Sequence, residues 1–174
     1  RYAYDAANQI TRITSPTGAI KEYAYDAVGN AIQSRVLQSG DPVASPAAAV
    51  WITETFGYDG NGRQIWAVNG VGVRTERDFD AVGNLLAERV AVGTADLRQT
   101  TYQYNLDNQL IAEIDAEGHR TEYTRDAMGN RIKVKDALGR EARYYFDRAN
   151  RMVAIVDAEG YLNTFRYDGS GNRI

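Results

Sequence analysis

His119 is the only histidine in the chain and the first residue to weigh for chemistry. An imidazole serves as a general base when a nucleophile and an orienting group stand beside it. His119 follows Gly118 at the exit of a turn, with no Ser, Cys or second His placed to complete a relay. It reads as an exposed residue at the start of a strand. Carboxylates recur two residues apart, Asp115 with Glu117 and Asp157 with Glu159. A glycosidase needs its two carboxylates facing each other across a substrate. These pairs instead sit inside one repeated turn, where Asp already has a capping task. The phrases "DGSGN" (Asp168, Ser170, Asn172) and "DGNG" (Asp59, Asn61) resemble part of a calcium loop. That loop requires Gly at its sixth position and Glu at its twelfth. After Asp59 those positions hold Gln64 and Gly70, and after Asp168 the sixth holds Arg173. No Gly-Lys-Ser/Thr follows any glycine-rich phrase, so none is a phosphate loop. The chain has no cysteine, which excludes disulfides and thiolate metal sites. The expectation is a non-enzyme with no catalytic, cofactor-binding or metal-binding residues.

The residues that do recur are structural. "YDAVGN" at Tyr25 returns as "YDGNGR" at Tyr58, "FDAVGN" at Phe79, "RDAMGN" at Arg125 and "YDGSGN" at Tyr167. Looser copies stand at Tyr4, Tyr104 and Phe146. Successive anchors are 21, 33, 21, 25, 21, 21 and 21 residues apart. The two long steps are the same unit with insertions, one at about 38–50 and a smaller one at about 92–99. A fixed period of this size marks a repeat architecture in which each unit packs on its neighbours. The repeated set is Tyr4 and Asp5; Tyr25, Asp26 and Gly29; Tyr58, Asp59 and Gly62; Phe79, Asp80 and Gly83; Tyr104; Asp126 and Gly129; Phe146 and Asp147; and Tyr167, Asp168 and Gly171.

Each unit carries a second turn signal about ten residues later, as in "DAEG" at Asp115 and Asp157 and "DALG" at Asp136. Asp bonds backbone N–H groups further along such a turn, and Gly supplies positive φ. Two reversals in 21 residues leave six or seven for each straight segment, which is strand length. Within "NRIKVKD" the apolar Ile132 and Val134 alternate with Arg131, Lys133 and Lys135, a period of two. The fold class is therefore all-β: repeated antiparallel hairpins in a twisted, curling sheet over residues 1–174. A four-residue hairpin loop at each anchor predicts cross-strand pairs nine residues apart: Tyr23 with Ile32, Phe56 with Ile65, Tyr102 with Ile111, Tyr123 with Ile132 and Tyr144 with Val153. Aromatic against β-branched is a favourable pair. One face then carries Tyr, Phe and Ile, and the other Arg, Glu, Thr and Gln. Arg77 and Arg125 replace aromatics in the stripe and are read either as lying over neighbouring rings, the preferred reading, or as marking wetter places on the face.

The Tyr-Asp-x-x-Gly unit of about 21 residues, with its second Asp-x-x-Gly turn, resembles the YD repeat of RHS-repeat proteins, from Tyr2 to Ile174. That family includes bacterial RHS polymorphic toxins, Tc toxin C subunits, wall-associated repeat proteins and teneurins. The resemblance implies a β-sheet that spirals into a hollow shell, enclosing a toxin domain in the bacterial members and supporting adhesion in teneurins. The family's conserved-core segment with self-cleaving aspartates is not recognised here. The chain opens at Arg1 in mid-pattern, so an internal arc of such a shell is expected. Its partners are then the rest of the parent polypeptide or the enclosed toxin, and its setting a secreted or cell-surface bacterial protein.

The near balance of charge, net -3, argues against a nucleic-acid partner. No apolar run is long enough to span a bilayer. Trp66, Tyr145 and Tyr161 offer a possible sugar-stacking surface, making a cell-surface glycan- or protein-binding module the alternative reading. Terminal strands with unpaired backbone groups allow edge-to-edge self-association.

Overall fold

The computed structural model describes residues 1–174. Fifteen strands form one antiparallel sheet whose strand order is the sequence order. The chain divides into two compact units, Arg1–Asp78 with Glu88–Arg98, and Phe79–Ala87 with Gln99–Ile174.

In the first unit lie β1 (Tyr2–Tyr4), β2 (Ile10–Thr14), β3 (Ile20–Tyr25), β4 (Ala31–Ser39), β5 (Val50–Tyr58), β6 (Gln64–Val68) and most of β7 (Arg74–Phe79). β8 (Leu85–Val90) runs from the second unit into the first. The second unit continues through β9 (Arg98–Tyr104), β10 (Leu110–Ile114), β11 (Arg120–Arg125), β12 (Arg131–Lys135), β13 (Glu141–Phe146), β14 (Met152–Val156) and β15 (Leu162–Thr164). Residues 40–49, between β4 and β5, hold a single 3₁₀ turn at Pro46–Ala48, and residues 91–97 separate β8 from β9.

The remaining connections share one five-residue loop. In the Asp26 loop the Asp26 N–H donates to the Asn30 carbonyl at 2.9 Å and the Gly29 N–H to the Asp26 carbonyl at 3.2 Å. The Asp26 carboxylate accepts the N–H groups of Val28 and Asn30 at 3.0 and 2.8 Å. The Ser15, Asp59, Asn69, Asp80, Asn105, Asp115, Asp126, Asp136, Asp147, Asp157 and Asp168 loops close in the same way. The anchor phrase and the second turn are thus one motif. Its fourth residue has positive φ, +95° at Gly29. In the looser copies Asn takes that place, Asn8, Asn108 and Asn150 standing at φ 61°, 59° and 62°. Asn is the residue after Gly that best tolerates this conformation.

The pairing register differs from the nine-residue expectation. Tyr23 faces Ser34, Phe56 faces Ala67, Tyr102 faces Glu113, Tyr123 faces Val134 and Tyr144 faces Ile155, all eleven apart. Two effects add. The loop is five residues long, and the anchor hairpins after Tyr4, Tyr25, Tyr58, Tyr104, Arg125 and Phe146 each have a β-bulge just beyond it. Arg125 pairs with Arg131 and Thr124 with Lys133, which leaves Ile132 as the extra residue. Thr11, Ile32, Ile65, Ile111 and Val153 occupy the same place in their hairpins. The apolar column that the sequence suggested as cross-strand partners is the bulge column. A bulge bends its strand and increases local twist. The second turns that keep the five-residue loop carry no bulge in their ladders, Thr14, Ile13 and Arg12 pairing in even steps with Ile20, Lys21 and Glu22, whereas the inserted β4/β5 hairpin shifts register between Leu37 and Ser39.

Partners in an antiparallel ladder point to one face. In the first unit Tyr2, Ile13, Lys21, Val36 and Ile52 share a face with Tyr23 and Tyr25, while Arg12, Glu22 and Arg35 share the other. In the second, Tyr102, Tyr123, Val134, Tyr144 and Ile155 oppose Glu122, Lys133, Lys135, Glu141 and Arg143. The sheet has almost no interior. Only Ile20, Ala87, Ala112 and Ser34 are buried, and no large side chain is fully enclosed. The accessible surface is 11613 Å². A compact protein of 19.3 kDa exposes about 8,500 Å² by the usual size scaling.

Candidate functional site

The repeat builds two recurrent side-chain devices. The first is the loop head. Beyond the two N–H groups that bond its Oδ1, the head's Oδ2 takes the side chain of the fifth loop residue. Asn30 and Asn130 donate to Asp26 and Asp126 at 2.9 and 3.0 Å, and Arg63 and Arg151 donate to Asp59 and Asp147 at 2.7 and 2.9 Å. The hydrogen bonds from Asn30, Asn130 and Asn172 hold Asp26, Asp126 and Asp168 below the ordinary carboxylate range, helped by the loop's own N–H groups. Neighbouring anchor loops also touch: Asn84 donates to the Asn108 amide oxygen at 3.0 Å, and Asn130 donates to that of Asn150.

The second device is the anchor residue. Tyr25 donates its hydroxyl to the Ile10 carbonyl at 2.8 Å, Tyr58 to Ala31 at 2.9 Å and Tyr167 to Met152 at 2.8 Å. Each acceptor is the first strand residue after the preceding anchor loop. The bulge explains the need. The β2/β3 ladder ends at Arg12 and Glu22, and the Ile10 carbonyl lies beyond it. A backbone carbonyl left out of a ladder requires another donor, and the tyrosine supplies one. Arg125 does the same work, its Nε reaching the Leu110 carbonyl at 3.2 Å while Nη1 bonds the Gly129 carbonyl at 2.8 Å. Arg77 bonds Glu88 at 2.7 Å and Gln64 at 2.8 Å. Both arginines are held by oxygen acceptors, which corrects their reading as ring-stacked cations. Sequence reasoning missed the clamp, although the signal was present: Tyr and Arg share a long reach with a terminal donor.

The residues weighed for chemistry fall out as follows. His119 is exposed, immediately before β11, with Nδ1 at 3.0 Å from Asp115 Oδ2. Asp115, Glu117 and His119 bring ligand atoms within 4.8 Å of one another. Asp115 Oδ1 already accepts the N–H groups of Glu117 and His119, so this carboxylate is a loop head. Asp157 and Asp168 are committed in the same manner, to Glu159 and Tyr161 and to Ser170 and Asn172. Asp59 accepts from Asn61 and Arg63. Trp66, in the first unit, is half-buried: it pairs with Gly57, and the Arg74 guanidinium lies 4.8 Å from its ring centre. A Cβ on Gly57 would come 2.0 Å from Trp66 Nε1, so the indole lies flat on the glycine. Tyr145 in β13 and Tyr161 in the Asp157 loop, both in the second unit, are exposed. No helix is long and apolar enough to cross a membrane.

The RHS Repeat family model matches residues 1–36 and 104–141. No curated protein sequence matches the chain. Solved structures with the same fold include the crystal structure of TcdB2-TccC3 without its hypervariable C-terminal region, at TM-score 0.80 and 13% identity, covering 100% of this chain and 10% of that one. TcdB2-TccC3-Cdc42 superposes at TM-score 0.77 and 15% identity over 96% of this chain and 9% of that one. The Tc holotoxin pore of Photorhabdus luminescens matches equally, at 0.77 and 15%, over 96% and 9%. This chain thus spans about a tenth of the chains it resembles. At such identity the likeness is one of fold. The two matched stretches thus carry RHS repeats, and the same loop, bulge and clamp recur between them in a chain that shares the fold of these structures.

Proposed function

We propose that this chain is a stretch of wall: a single-layer β-sheet that forms part of the shell of a larger secreted or surface RHS-type protein and performs no catalysis. The repeated Tyr, Asp and Gly residues hold the wall, and the insertions at 38–50 and 92–99 are surface loops on it. The guest, on the resemblance to RHS-repeat toxins, is a toxin domain kept from water and proteases. The observation that carries this reading is the missing core. The chain leaves about 3,000 Å² more surface open than a compact protein of its mass. Burying apolar area is what drives folding, so a sheet this bare on both sides suits a wall whose faces meet other parts of the same polypeptide. The loop heads support a structural role in another way, because their carboxylates bond the backbone N–H groups of their own turns.

A two-faced labelling experiment tests the proposal. Cysteines are placed singly at Thr121 and Thr124, which point to opposite faces of β11, in the longer parent protein. A wall admits a bulky maleimide-polyethylene glycol at one of the two positions only. Equal labelling of both in the intact parent would overturn the reading.

A further inference from the structure

Because the units repeat, each position can be compared with its equivalents in the same molecule. On the charged face, the cross-strand pair that follows the anchor hairpin is Arg12 with Glu22, Gln33 with Thr55, Trp66 with Glu76, Ala112 with Glu122 and Ala154 with Thr164. In the unit that follows the Arg125 anchor the pair is Lys133 with Arg143, two cations directly opposed. Like charges in this relation destabilise a sheet, and no other of these pairs has them. The residue just before the anchor departs in the same place. Its equivalents are Ala3, Ala24, Gly57, Asp78, Gln103, Thr124 and Arg166, and here it is Tyr145.

The three departures converge. Lys133, Arg143 and Tyr145 line one groove of about 420 Å³, with Thr124 at its side. The Tyr145 residue is 47% exposed. Both cations lean on a single carboxylate, Lys133 Nζ at 3.1 Å from Glu141 Oε1 and Arg143 Nη2 at 3.0 Å from Oε2. The other carboxylates near the groove are committed elsewhere: Asp126, which also lines it, bonds the Met128 and Asn130 N–H groups and the Asn130 side chain of its own loop, and Glu122 bonds Arg120 and lies near Lys135. Lysine has three donors and arginine five, more than one carboxylate can occupy. The Arg143 side chain is 58% exposed. Residues that cost the sheet stability and still cluster around one groove fit a binding role better than a structural one.

We infer that this groove binds an acidic carbohydrate, a pyranose chain carrying carboxylates. Lys133 and Arg143 take a carboxylate, Arg143 through two parallel N–H bonds, and a sugar ring lies against the Tyr145 ring. The groove is open along its length, which suits a polymer threading across the sheet more than a small molecule enclosed by it. This site is independent of the shell reading and does not depend on what the other face meets.

Calorimetric titration of the whole chain with a galacturonic acid tetramer tests the inference, with maltotetraose, a thymidine tetranucleotide and inorganic phosphate as comparison probes. Saturable binding of the uronate alone is expected. Arg143→Thr installs the residue found at Thr55 and Thr164, and Tyr145→Ala the one found at Ala3 and Ala24. Each should weaken uronate binding at least tenfold, and Arg143→Thr should leave the melting temperature unchanged or raised because the like-charge pair is gone. No uronate binding, equal binding of the neutral sugar, preference for the tetranucleotide or phosphate, or unaltered binding in both variants would overturn it. A fall in melting temperature for Arg143→Thr would show that the cation serves the sheet and would also count against the site.

Discussion

Replacing Tyr25 by Phe removes one atom and, on this account, one clamp between neighbouring hairpins. The hydroxyl donates to the Ile10 carbonyl at 2.8 Å, in a half-buried setting, where the bulge at Thr11 has ended the ladder. A neutral hydrogen bond of this kind contributes about 1 kcal/mol net, within a range of roughly 0.5–1.5. For a chain of this size that corresponds to a melting temperature lower by about 2–4 °C. Tyr58→Phe and Tyr167→Phe remove the equivalent bonds to Ala31 and Met152 and should each fall by a similar amount. The three sites share no partner, so the triple variant should lose roughly the sum of the single losses, about 3 kcal/mol. Tyr2→Phe and Tyr161→Phe, at positions 63% and 71% exposed, serve as controls with no expected change. Thermal melts followed by far-ultraviolet circular dichroism give the comparison. If the clamp variants melt with the controls, the hydroxyl-to-carbonyl bond does not hold the repeats together. Phe79 and Phe146 show that a unit survives without the hydroxyl, so the expected effect is a loss of stability and not of fold.

Gly160 stands at φ 90° with open space where a Cβ would go, so Gly160→Ala should cost about 1–2 kcal/mol through backbone strain alone; Gly160→Asn should cost less than half of that, as Asn8, Asn108 and Asn150 already hold this conformation, and equal losses in the two variants would refute the argument. Gly57→Ala drives a methyl into the Trp66 indole, and overpacking of this kind costs about 1–3 kcal/mol; tryptophan emission should shift to the red, whereas an unchanged spectrum and melt would mean the indole does not rest on the glycine. Asp26, Asp126 and Asp168 have folded-state pKa values below the ordinary 3.8, so their contribution is complete above that value and is lost as the pH falls through the lower folded values. Melting temperature should therefore drop mainly below pH 4, and less steeply in Asp126→Asn, whose amide head copies Asn69 and Asn105; a rise on acidification would contradict this.

Much of the fold was legible because the loop is encoded by residues with few alternatives. Asp, Asn or Ser at the head and Gly or Asn three residues later announce a reversal even at Asn105, where the phrase is blurred. Strand period and hairpin order followed from the spacing. The register did not, because a bulge leaves no residue of its own: Ile132 looks like any inward apolar residue, and only the ladder shows that it is the extra one. The role of Arg125 was hidden for a related reason. Residue type suggested a cation on a ring, while the carbonyl it serves lies fifteen residues back and becomes a neighbour only once the bulge has bent the hairpin. The Trp66, Tyr145 and Tyr161 group shows the limit of counting aromatics. Trp66 is covered by Arg74 and seated on Gly57, whereas Tyr145 stands beside two cations that the sequence alone did not place with it.

The bulged register underlies the clamp, the division of faces and the groove, and backbone nuclear Overhauser contacts read it directly. In the isotope-labelled chain, cross-strand contacts should connect Tyr123 with Val134 and Tyr144 with Ile155, with Ile132 and Val153 left out of the ladder. Contacts pairing Tyr123 with Ile132 and Tyr144 with Val153 in an unbroken ladder would contradict the account.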